Sequence, residues 1–84
     1  MLIIHKNSLK HGLTEDEVKT ICRQISKYIL RKETENIYAC LSVYKNRVYE
    51  VLITGNFIDG YLVFHCNIAT KKFIKEVEGK HHER

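Results

Sequence analysis

Between residues 14 and 43 the hydrophobic repeat of this chain changes from three- and four-residue steps to strict alternation, which limits the folds open to it. Thr14 and Glu17 have the spacing of a capping box, with Leu13 and Val18 placed as a hydrophobic staple and Glu15 and Asp16 at the positive end of the helix dipole. Val18, Ile21, Cys22, Ile25, Tyr28 and Ile29 then form one apolar stripe, predicting a helix from Thr14 to about Leu30. From Ile37 the period is two. Ile37, Ala39, Leu41 and Val43 alternate with Tyr38, Cys40, Ser42 and Tyr44, predicting a half-buried strand whose odd-numbered set faces the helix.

Lys45-Asn46 predicts a tight turn, Val48 to Thr54 a returning strand, and Gly55-Asn56 with Asp59-Gly60 a second turn before a third strand over Tyr61 to Ile68. Leu2 to His5 reads as a short strand and Asn7 to His11 as one helical turn closed by Gly12, while Ala69 to Glu78 suits a short final helix. The expectation is one α+β domain over residues 1–84. It is a small antiparallel β-sheet of three or four strands, with the N-terminal helix packed on one face and the other face open. The expected core is Ile3, Val18, Ile21, Cys22, Ile25, Ile29, Leu41, Val51, Ile53, Leu62, Phe64, Ile68 and Phe73.

Composition narrows the function. Eighty-four residues support one small core and exclude a multidomain enzyme. A net charge of +4 favours polyanions, so nucleic acid or an acidic protein is the natural partner. Three widely spaced cysteines without a CxxC pair suit a reducing cytoplasm. The opening Met-Leu-Ile-Ile run is far shorter than a signal or membrane segment, so no membrane association is expected. Phosphate-binding loops and Ser–His–Asp spacing are absent, and the adjacent His81 and His82 lack a spaced partner ligand, so neither cofactor nor metal is expected.

The alternation also assigns faces. With Tyr49, Val51 and Ile53 inward on the second predicted strand, and Leu62, Phe64, Cys66 and Ile68 inward on the third, Glu50 and His65 share the open face with Tyr38 and Tyr61. Lys71 and Lys72 follow. This set suits acid–base work on a phosphodiester: an imidazole that titrates near neutral pH, a carboxylate to orient it or act as base, and lysines to hold the phosphate. Tyr38 and Tyr61 could stack unpaired bases. The competing reading is a solvated sheet face with an incidental His–Glu pair. His11 has two readings, facing the carbonyl end of a short helix or pointing to a phosphate. Lys19, Arg23 and Lys27, at four-residue steps, read as a solvated helix face or a phosphate contact.

The segment Lys10-His11-Gly12-Leu13-Thr14-Glu15-Asp16-Glu17-Val18 resembles the helix start of the BrnT-like toxins, within the RelE/ParE superfamily of toxin–antitoxin toxins. Val48-Tyr49-Glu50-Val51, Phe64-His65 and Lys71-Lys72-Phe73 resemble the later strands of a related subgroup. The resemblance spans nearly the whole chain. It implies a small antiparallel sheet with helices on one face, an RNA-cleaving activity that blocks translation, and neutralisation by a cognate antitoxin protein; the cleavage is expected to need no metal, and a homodimer is left open. It carries His11, Glu50, His65, Lys71 and Lys72 over as site positions. The superfamily also contains topoisomerase poisons, and a non-catalytic basic binding module remains the other alternative.

Overall fold

Helix α1, Glu15–Arg23, begins where the capping box places it: the Glu17 amide donates to Thr14 Oγ1, and the Thr14 amide donates back to Glu17 Oε1, both at 3.1 Å. The computed structural model describes residues 2–56 and 58–80, and residues 82–83 by their backbone. The helix stops at Arg23 rather than near Leu30, and Ile25–Lys32 is strand β2. Ile25, Tyr28 and Ile29 satisfy either period, and pairing decided between them. Tyr28 lies opposite Cys40 and Ile29 opposite Ala39, so a stretch rich in β-branched and aromatic residues has its apolar side chains on both faces of a sheet.

Strands β3, Ile37–Tyr44, β4, Arg47–Asn56, and β5, Gly60–Ile68, form the expected antiparallel meander. Lys45 and Asn46, with φ of 49° and 63°, make the first turn, whose left-handed residues match the twist of the flanking strands. The sheet is larger than expected and mixed. Strand β1, Leu2–Ile4, lies parallel to β5, with Leu2 opposite Tyr61. A two-residue strand β6, His82–Glu83, pairs with β2 at the far edge, giving the order β1-β5-β4-β3-β2-β6.

A second helix, α2, Lys71–Lys80, covers the face that was expected to be open. It changes the side assignments. On β3, Ala39 and Leu41 pack under Phe73 and Val77 of α2, whereas Cys40 and Ser42 face α1. The strand is thus turned over relative to the expectation. Both faces of β3 are buried, so alternation could not say which set belonged to which helix, and the fully buried Ser42 hydroxyl settles it by donating to the Ile21 carbonyl in the last turn of α1. On β4, Tyr49, Val51 and Ile53 face α1 as expected. A bulge in β5 lets Val63 and Cys66, three residues apart, share that face, so Phe64 is only half-buried. Ile3 and Ile68, 50% and 45% exposed, lie outside the core, and Cys40, expected outward, is buried.

The two layers are held by different chemistry. Beneath α1 the contacts are mainly apolar, from Val18, Ile21 and Cys22, with the Ser42 hydroxyl bonded to the Ile21 carbonyl among them. Helix α2 is in addition clamped by ions from β2: Arg31 donates to both Glu76 oxygens at 2.6 and 2.8 Å while its guanidinium lies 5.1 Å from the Phe73 ring centroid, and Lys27 pairs with Glu78 at 2.8 Å.

Candidate active site

Glu50 and His65 meet. Leu52 lies opposite His65 and Glu50 opposite Asn67, so Glu50 and His65 are diagonal neighbours on the α2 face. His65 Nε2 and Glu50 Oε2 are 2.7 Å apart. The Glu50 side chain is 11% exposed and that of His65 30%, which leaves the carboxylate shielded and the imidazole reachable from solvent. The expected face is therefore partly covered rather than open.

Two further residues, Thr70 and His11, complete the arrangement. The Thr70 amide donates to Glu50 Oε1 at 2.9 Å, and Thr70 Oγ1 accepts from the Phe73 amide at 3.2 Å, so Thr70 joins the carboxylate to the start of α2. A carboxylate accepts at both oxygens, so the Nε2 edge of His65 is the donor side of its contact with Glu50, and Nδ1 lies on the other side of the ring. The His11 ring stands 6.0 Å from that of His65, centroid to centroid, in an edge-on contact at 80°. The chain reaches that point because the His5 amide donates to the Val63 carbonyl and the buried Ser8 hydroxyl to the His5 carbonyl, laying the 3-10 turn Lys6–Leu9 along β5. Gly12, at φ +83°, then turns the chain toward α1.

Of the remaining expected site residues, Lys71 and Lys72 follow Thr70 directly, whereas Tyr38 and Tyr61 lie elsewhere. Lys71 and Lys72 open α2 and are exposed, and neither makes an ion pair among the described residues. On the same helix, the hydrogen bond from Arg31 holds the Glu76 carboxyl below its ordinary range, with the charges of Arg31, Lys80 and Lys72 adding to the effect. Tyr38 and Tyr61 lie on the opposite face of the sheet, where with Tyr28 they line a groove of about 460 Å³ beside α1. The cause is the turned-over β3 and the bulge in β5, which send these rings to the α1 side. Lys19, Arg23 and Lys27 do not form one helix face, because Lys27 belongs to β2.

Thr70 is the participant that the sequence reading passed over, and its signal was a threonine directly ahead of the last amphipathic stretch. The three cysteines are buried, and burial pushes the Cys22 thiol up to about 11 and the Cys66 thiol up to about 12. Neither is a thiolate nucleophile at neutral pH. Among the described residues no group of three or more His, Cys, Asp or Glu side chains is placed to hold a metal ion, and no helix is long and apolar enough to cross a membrane. His81 lies outside the described residues, as does the side chain of His82. No family model, curated protein or solved structure matches the chain.

Proposed function

We propose that this chain is the toxin of a type II toxin–antitoxin pair, a BrnT-like member of the RelE superfamily that cuts RNA without a metal and is neutralised by a cognate antitoxin. The observation that carries the reading is the Glu50–His65 contact at 2.7 Å with a second imidazole, His11, against it. RNA supplies its own nucleophile, so the protein must move two protons and stabilise the charge that develops on the phosphate. The 2′-oxygen bonds to phosphorus as its proton passes to one imidazole, the bond to the 5′-oxygen breaks, and the other imidazole returns a proton to that leaving oxygen. The products are a 2′,3′-cyclic phosphate and a free 5′-hydroxyl. Glu50 fixes the ring of His65, and Lys71 and Lys72, at the exposed start of α2, are the cations within the same neighbourhood of sequence for phosphate.

A single measurement tests this. Messenger RNA incubated with the protein in EDTA, with and without ribosomes, should yield fragments ending in cyclic phosphate. His65→Ala should slow the cutting about 10²–10⁴-fold, with a loss of similar kind for His11→Ala. Cutting at the wild-type rate by both folded variants refutes the mechanism. The bond from Thr70 to Glu50 favours one other reading, in which the carboxylate pins α2 and the chain is a basic binding module without chemistry. RNA binding without any cleavage, in wild type and variants alike, supports that reading instead.

A further inference from the structure

The groove beside α1 is formed because a nine-residue helix covers only part of its face of the sheet. Cys40 and Ile53 supply apolar contact, and Tyr28, Tyr38 and Tyr61 stand half-buried around them. The Tyr28 and Tyr38 rings are 6.0 Å apart at 68°, an edge-on pair that holds each ring in place. Arg23, exposed at the last residue of α1, is the charged residue among those lining the groove.

From this lining we infer that the groove binds unpaired nucleotides of single-stranded RNA, a base lying against Tyr38 or Tyr61 and a phosphate on Arg23, on the side of the sheet away from Glu50 and His65. The inference rests on the reading that RNA is what the chain acts on. Its own support is chemical. Held phenol rings offer stacking faces for any base, a guanidinium offers a planar fork for phosphate, and the net charge of +4 draws a polyanion toward both. The volume of about 460 Å³ is that of a small-ligand site.

The probe is a 2′-O-methyl hexa-adenylate, which has no free 2′-hydroxyl and so cannot be cut. Titration into the 15N-labelled chain should move the amide resonances around Arg23, Tyr38 and Tyr61. Tyr38→Leu and Tyr61→Leu, which keep apolar volume, should each weaken binding about 5- to 100-fold by loss of stacking. Arg23→Gln, at an exposed position, should lower the slope of log affinity against log salt by about 0.7. Groove resonances that stay still while the oligonucleotide binds elsewhere, or affinities within twofold of wild type in all three dispersed, folded variants, overturn the inference. So do shifts produced by an amphipathic helical peptide and not by the oligonucleotide. Cleavage of ordinary RNA scored in parallel separates the two claims: cleavage with unaltered binding by the tyrosine variants removes the groove alone, and groove binding without cleavage removes the proposed chemistry alone.

Discussion

Replacing Glu50 tests how far one carboxylate ties the second helix to the sheet. It receives the Thr70 amide on one oxygen and faces His65 on the other, with its side chain 11% exposed. A hydrogen bond to a charged group contributes about 1.5–3 kcal/mol, and water can reach both partners in part, so Glu50→Ala should cost about 2–4 kcal/mol. A chain of 84 residues has only about 4–13 kcal/mol in all. The expected fall in Tm is therefore about 8–32 °C, at roughly 4–8 °C per kcal/mol for a domain of this size. Glu50→Gln keeps an acceptor for Thr70 and should recover about half of the loss. Urea unfolding followed by far-ultraviolet dichroism measures both, and amide exchange should show the opening concentrated in α2. A Glu50→Ala variant within about 0.5 kcal/mol of wild type would refute the argument that this carboxylate anchors the helix.

Three further outcomes follow from named contacts. Ser42→Ala should lose about 1 kcal/mol in urea unfolding, because the Ile21 carbonyl keeps the Gln24 amide at 3.1 Å; a neutral result would mean that the hydroxyl does not fix the facing of β3. Gly55→Ala should be far worse, about 2 kcal/mol or more, since Gly55 has φ +122° and a Cβ there would meet the Gly60 carbonyl oxygen on β5; an unchanged Tm would contradict the pairing of these strands. For Glu76 the folded-state pKa is lowered, so its pairing with Arg31 adds stability that is full above the ordinary carboxylate value and is lost as pH falls through the lower folded value. With both side chains about a third exposed the pair is worth about 0.2–1 kcal/mol, so the gap between wild type and Glu76→Gln should be small at pH 7, shrink in salt, and close as pH falls through the lowered folded value; a gap that persists in acid would rule out the ion pair as its source.

The parts of the fold that could be read from the chain are those set by neighbours in sequence. The capping box, the two-residue turn at Lys45-Asn46 and the three-strand meander depend on local backbone preference, and each formed where its residues predicted. The stretch from Ile25 to Lys32 did not, because its apolar residues fit both a helix and a strand, and only the presence of β3 alongside selected the strand. The same limit governed the candidate site. Glu50 and His65 could be placed on one face by counting in twos, yet His11 reaches His65 from a turn more than fifty residues away in sequence, and no local pattern encodes that approach.

What the amino-acid order determined by itself was a list of elements and their amphipathic sides, since capping, turn geometry and alternation act within a few residues. What tertiary structure decided was which side of each strand met which helix. A sheet covered on both faces buries both of its sides, so periodicity alone carries no preference between them. A buried hydroxyl finding a carbonyl at Ser42 and a bulge beside His65 made the choice, and in doing so sent Tyr38 and Tyr61 to one face and left the imidazoles and the carboxylate together on the other.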